Sequence, residues 1–177
     1  LPLDGGDVLI GGDFSRVDGV PRSRVARLNS DGSLDSAFTG PGFINGGPVR
    51  VIREHQGGTL IGGAFTSVGD SPATGIAKLT SSGTLNTGFG AAANNTSFSS
   101  RVDIMTMAVD TDDRIVIGGQ FSRVQGENRS YLARLKANGV IDTSLNTYGG
   151  PSDTVRALTL TPDGKFLIGG DFTRYGD

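Results

Sequence analysis

The chain has 177 residues, 16 of them basic and 18 acidic, for a net charge of −2. It therefore lacks the basic excess that would meet a phosphate backbone, which argues against a nucleic-acid partner. With no cysteine, disulfides, thiolate metal sites and cysteine nucleophiles are excluded, and no apolar run approaches the ~20 residues of a membrane-spanning helix, so no membrane insertion is expected. The 29 glycines follow no three-residue period, so they read as turns between short strands rather than as collagen. The chain opens on Leu1 and reads as a processed or truncated piece of something longer.

Taken in order, the elements repeat. Asp4-Gly5-Gly6-Asp7 is a hairpin turn ahead of Val8, and the following strand carries Ile10-Gly11-Gly12-Asp13-Phe14. Val25-Ala26-Arg27-Leu28 is the next apolar segment, followed by the turn Ser30-Asp31-Gly32-Ser33 and a short tail ending at Asp35. Val49-Arg50-Val51-Ile52 opens the next unit. The glycine motif returns as Ile61-Gly62-Gly63-Ala64-Phe65, Ile117-Gly118-Gly119-Gln120-Phe121 and Ile168-Gly169-Gly170-Asp171-Phe172. Its first glycines stand 51, 56 and 51 residues apart. The Ala-Arg-Leu segment returns as Ile76-Ala77-Lys78-Leu79 and Leu132-Ala133-Arg134-Leu135, in phase. The extra five residues of the second copy fall in the connecting segment 90–101.

Each unit thus offers four short segments. In the third they are strand A over 103–109, B over 114–121, C over 130–135 and D over 140–145. The turn Asp112-Asp113 joins A to B, the loop 122–129 joins B to C, and Ala137-Asn138-Gly139 joins C to D. No stretch shows a helical period. Four antiparallel strands in ~50 residues, repeated in tandem, describe an all-β fold of β-propeller blades. The units are 1–48 (lacking its full first strand), 49–101, 102–154 and 155–177 (partial), within one domain over 1–177. Gly11, Gly12, Gly62, Gly63, Gly118, Gly119, Gly169 and Gly170 are expected to allow a bulge and the close approach of a neighbouring backbone where blades pack. Phe14, Phe65, Phe121 and Phe172, with the preceding isoleucines, would bury against the next blade. Three and a half units are too few to close a ring, so completion by the parent chain or by homo-oligomerisation is expected.

The string Gly11-Gly12-Asp13-Phe14, then 26–38 beginning Ala26-Arg27-Leu28-Asn29, and Asp163-Gly164-Lys165-Phe166-Leu167-Ile168-Gly169-Gly170 resembles the delta-60 repeat, a bacterial β-propeller family. The resemblance covers nearly the whole chain. It implies a propeller within large secreted or surface-associated bacterial proteins, hence an extracellular or cell-surface location, and it implies no catalytic residues. The copies differ where Asn86 replaces the Asp, Ser82 the preceding Asx, and Leu145 the Phe38 and Phe89 of the first two units. A ligand site would therefore not be equivalent in every blade.

Chemistry is sparse. His55, the single histidine, lacks carboxylate partners at ligand spacing and reads as a surface hairpin residue. No Gly-x-Ser-x-Gly elbow and no phosphate-binding Gly loop occurs. Glu54 and Glu127 lie in different units and different loop types, unlike a glycosidase acid pair. Gly-Gly-Asp-Phe resembles a cyclase signature, but Ala64 and Gln120 at the acidic position show the acid to be dispensable to the repeat. Asn29, Asp31 and Asp35 have the short odd spacing of a calcium loop. Thr80 and Lys136 at the first of these positions favour a plain turn, so no cofactor is expected and calcium is the alternative. Arg16, Arg22, Arg24, Arg123, Arg129 and Tyr131, with Tyr148, cluster in the B-to-C loops and their face, which would suit an acidic protein or glycan. The expected function is a non-enzymatic module for protein–protein interaction, adhesion or spacing. The alternatives are a carbohydrate-binding propeller or a glycoside-active enzyme with an acid pair at the channel. The absence of Trp and an aromatic content of 7% favour the first.

Overall fold

The computed structural model describes residues 1–90, 102–145 and 149–176. Tyr148 and nearly all of the longer connecting segment 90–101 lie outside the described residues. Fifteen strands are named among the described residues, and their sheets fall into four successive blades. The first pairs β1 (Val8–Gly11) with β4 (Val25–Leu28). Between them β2 (Arg16–Val17) and β3 (Val20–Pro21) form a small ribbon. The second blade is built on β5 (Ile44–His55), β6 (Gly58–Val68) and β8 (Ile76–Leu79), with β7 (Ser71–Pro72) paired to the far end of β6. The third holds β9 (Asp103–Val109), β10 (Ile115–Gln120) and β13 (Leu132–Leu135), plus the ribbon of β11 (Arg123–Val124) and β12 (Glu127–Asn128). The fourth is a hairpin of β14 (Val155–Leu160) and β15 (Phe166–Gly170).

Burial follows a blade's position in the stack. Ile115, Val116 and Ile117 on β10 are all 0% exposed, because a neighbour covers each face of the sheet. On β15 no residue is fully buried, and Leu167 is 59% exposed. The apolar clusters lie between blades. Leu9, Val25 and Phe38 of the first meet Ile52, Ile61 and Phe65 of the second. Leu60 and Ile76 of the second meet Ile104, Met107 and Ile117 of the third. Leu60 and Ile61 point to opposite neighbours, as successive strand residues must. Phe65 and Phe121 are buried as expected, whereas Phe14 and Phe172 of the end blades are half-buried.

Within the glycine pairs the labour is divided. The register slips between Gly118 and Gly119 and again opposite Gly170, between Val155 and Ala157. A Cβ on Gly119 would stand 3.0 Å from the Ile104 Cα and closer still to the Asp103 carbonyl oxygen. Gly63 faces the Pro48 carbonyl and Gly170 the Thr154 carbonyl in the same way. The first glycine of each pair instead admits the following blade. A Cβ on Gly11 would lie 2.8 Å from Val49 and Ile52, one on Gly62 2.9 Å from Ile104, and one on Gly118 2.7 Å from Val155. Gly169, in the last blade, has nothing within 4 Å of the same position.

Three expectations change. Strand D over 140–145 shrinks to one bridge, Leu135 with Ile141, repeated as Leu28–Leu34 and Leu79–Leu85. The cause is the next side chain: Asp35, Asn86 and Asp142 each accept the backbone N–H two residues on, at 2.7, 2.9 and 3.0 Å, and turn the chain away. The loop 122–129 contains the β11–β12 ribbon, turned at Gln125 and Gly126 with φ of 51° and 83°. His55 is 3% exposed rather than on the surface, because the A-to-B turn of the second blade seats against that of the third. Its Nε2 faces the Asp113 carbonyl oxygen at 3.0 Å, and Gln56 reaches the Asp113 carboxylate, also at 3.0 Å.

Candidate functional site

The inner strands of successive blades border a cleft of about 480 Å³ lined by Leu1, Gly11, Ile52, Met105 and Thr106 together with Arg50 and Arg53. Arg50 Nε reaches both Asp103 oxygens at 2.7 Å, joining the second blade to the third, and Arg53 donates to the Ile52 carbonyl at 2.8 Å. Arg156 grips Asp171 through Nε and Nη2 at 2.7 and 2.6 Å. Asp13 pairs with Arg24 at 3.3 Å. The variable position of the glycine motif thus carries an ion pair in two blades, which a comparison of the four side chains alone does not suggest.

The outer tails repeat the device. Arg27 meets Asp35 at 2.6 Å and Arg134 meets Asp142 at 2.7 Å. The Ser144 hydroxyl and amide, with Arg134, hold Asp142 at a pKa of about 2 despite the opposing effect of burial. In the second blade both partners change together, to Lys78 and Asn86. Lys78 is buried, and burial pushes its pKa down. The Ser33 hydroxyl lowers Asp31, Arg27 lowers Asp35, Arg156 lowers Asp171 and Lys165 lowers Asp163. At Asp110 burial works upward, and Arg114 with two backbone amides outweighs it. No carboxylate among the described residues has a resolved upward shift.

The calcium-loop residues make turn contacts. Asn29 Nδ2 donates to the Ser33 hydroxyl at 2.8 Å, Asp31 accepts the Ser33 amide and hydroxyl at 2.9 and 2.6 Å, and Asp35 faces the Arg27 guanidinium. Among the described residues no three His, Cys, Asp or Glu side chains gather as a metal would need.

The six residues of the B-to-C face are dispersed. Arg16 donates to Gly19 O at 2.6 Å across its own ribbon, and Arg123 is exposed at the equivalent place in the third blade. Arg24 is spent on structure: it donates to the Ile44 carbonyl, to Gly46 O at 3.3 Å and to Asp13, tying the first blade to the second. Arg24 and Tyr131 are repeat equivalents, and both hold positive φ, 61° and 64°. Each is the centre of a three-residue turn closed by Val25 N–H to Ser23 O or Leu132 N–H to Ser130 O. Gly75 takes the same place in the second blade, with φ of 76°. Arg129 donates to Asn128 O at 2.8 Å.

Arg22 is different. It borders a cleft of about 210 Å³ together with Ser15, Pro21, Val25, Pro41 and Phe43. Its Nη1 donates to Pro21 O at 2.9 Å, and its Nε is buried without an acceptor. Phe43, which the sequence reading passes over, is 76% exposed at this cleft. Positive φ at Gly40 and Gly42 bends the chain into it, and Gly69 N–H to Phe43 O at 2.7 Å pins its backbone. The signal in the sequence is the Gly40-Pro41-Gly42-Phe43 string, an aromatic between turn-formers.

Neither the curated proteins nor the solved structures include a match to this chain. A family model described as a domain of unknown function (DUF5122) beta-propeller matches residues 6–38, 57–89 and 111–145. Each match runs from the turn before strand B through the short tail after strand C, so the family's repeat and the blades coincide. With more than half of its length matched in three registered copies, the chain belongs to the DUF5122 β-propeller family.

Proposed function

We propose that the chain is a non-enzymatic interaction and spacing module of an exported or surface-associated bacterial protein. The observation that carries this reading is where its polar chemistry goes. Arg24, Arg27, Arg50, Arg134 and Arg156 and their aspartates fasten strands and blades to one another. The carboxylates with a resolved shift among the described residues are all pushed toward ionisation, which suits ion pairs rather than general acid catalysis. Incubation with chromogenic glycosides, esters and peptides should give no turnover, and surface proteolysis of intact producing cells should cut the module. Turnover that disappears in D103N or D171N would refute the non-enzymatic reading. Protection in intact cells with cleavage after lysis would refute the exported one.

The hollow over Gly169 supports a second element of the proposal, that another copy of the repeat covers this blade, supplied by further sequence of the parent protein or by a second chain. In the three preceding blades the equivalent hollow receives an aliphatic side chain of the following inner strand. Sedimentation should show a concentration-dependent dimer that G169I dissolves by filling the hollow. A monomer throughout the concentration range overturns self-completion.

A further inference from the structure

Strand C of the first three blades has one pattern and one register. Val25-Ala26-Arg27-Leu28, Ile76-Ala77-Lys78-Leu79 and Leu132-Ala133-Arg134-Leu135 pair with β1, β6 and β10. The alanine always stands opposite the isoleucine of the glycine motif, as Ile10–Ala26, Ile61–Ala77 and Ile117–Ala133. The final leucine stands opposite Val8, Thr59 or Ile115. Between the first and second blades, Ala77 and Leu79 are buried with Val25, Ile61, Phe65 and Val68. Between the second and third, Ala133 and Leu135 are buried with Ile76, Ile117, Phe121 and Val124. The two sets of wall residues are repeat equivalents.

The same wall recurs between the third and fourth blades. Leu132, Ile168, Phe172 and Tyr175 hold the equivalent places, and with Phe166 they line a cleft of about 320 Å³. Beside it, β15 pairs with β14 alone among the described residues. The other edge of β15 is the one on which β1, β6 and β10 carry strand C. An open strand edge next to an apolar cleft suits strand addition, in which backbone hydrogen bonds give affinity and alternate side chains give specificity.

We infer that this edge and cleft take up, as an added antiparallel strand, a segment of pattern aliphatic-Ala-Arg/Lys-Leu, the strand C of a further repeat. Its alanine lies opposite Ile168 and its leucine opposite Phe166, both facing the cleft, and its first aliphatic residue lies opposite Gly169. A folded second copy of this chain does not present such a segment, because Ala26, Ala77 and Ala133 are each 0% exposed in their own blades. Phe166 and Tyr175 replace the smaller Ile115 and Val124, so the cleft favours a small residue at the alanine position. This rests on the reading that another copy of the repeat meets the fourth blade, and it adds the segment and its register. The two fail separately, since the hollow over Gly169 and the cleft beside Leu132 lie on opposite faces of the sheet.

The test is an NMR titration of the whole chain with a blocked peptide of residues 129–145, which holds strand C of the third repeat, and with its A133F form. The first peptide should bind, protect the Ile168 amide from exchange, and show contacts from its alanine methyl to Ile168 and Phe172. The A133F peptide should bind more weakly by about tenfold or more. Because that change is in the peptide, the fold of the chain is the same in both titrations. A G169I chain, altered on the other face, should still bind the first peptide. Absence of binding, equal affinity of the A133F peptide, or contacts away from the β15 edge overturns the inference. Binding at Ile168 by a chain that sediments as a monomer at every concentration supports the strand site while overturning self-completion.

Discussion

Substituting alanine into the glycine pairs tests the packing scheme at single-atom resolution. At Gly119 the new Cβ would stand 3.0 Å from the Ile104 Cα and the Met105 nitrogen, and nearer still to the Asp103 carbonyl oxygen. Those are backbone atoms of the paired strand, so relief requires prising β9 from β10. Overpacking of this kind costs ~1–3 kcal/mol, against a gain of ~0.4–1 kcal/mol from stiffening the unfolded chain. The upper part of that range applies, because no flexible side chain can move aside, and the net loss is about 2 kcal/mol. For a domain of this size the melting temperature should fall by about 4–8 °C. At Gly169 the same substitution meets nothing within 4 Å, so it should be neutral or raise stability by up to ~1 kcal/mol. Thermal and urea unfolding of G119A and G169A, measured side by side below any associating concentration, give the comparison. A G119A protein as stable as G169A would refute the claim that the second glycine is kept for the carbonyl opposite.

Further tests follow from the same geometry. Asp142 has a folded pKa lowered to about 2, so its share of stability is complete above the ordinary carboxylate pKa and is lost as pH falls from about 4 to 2. The loss should reach about 2 kcal/mol, and acid titration of D142N should lack that component. G75A should destabilise the chain more than G169A. It places a side chain at φ of 76° and within 3.3 Å of Ile104, closer still to Val102, which unfolding in urea will show. Y131G should relieve a positive φ that glycine adopts freely, and unfolding should show a smaller loss than truncation of a half-buried tyrosine at an ordinary backbone position.

Repeat period and strand order were readable because each blade solves the same packing problem with the same residues. Ile61-Gly62-Gly63 and Ile117-Gly118-Gly119 must pass between two sheets, and that demand leaves little freedom of side-chain size. Strand D reads longer than it is because Leu34, Leu85 and Ile141 look like the start of a strand. The Asp or Asn that follows each one takes a backbone N–H and ends the pairing, and Asx residues signal such turns. The ribbons in the B-to-C loops had their signal too, Asp18-Gly19 and Gln125-Gly126. The burial of His55 had none, since the carbonyl that receives it belongs to Asp113 in another blade. For the loop arginines, residue type alone does not show which are tied up in the fold. Arg24 has the same side chain as Arg22 and a neighbouring position, but its guanidinium is already enclosed by Asp13 and the Ile44 and Gly46 carbonyls.

The apolar clusters lie between the blades, and this separates two units that the sequence invites one to equate. What repeats along the chain is a blade; what holds it together is a seam, made half from one repeat and half from the next. Inserting one more repeat anywhere in the row would add one seam and leave the two ends as they were. The middle sheets, stitched on both sides, should therefore open last in hydrogen exchange, with β6 and β10 outlasting β1 and β15. Resistance to opening would be a property of rank in the row, and the same residues, Ile61 or Ile168, would be durable or labile according to how many neighbours they stand between.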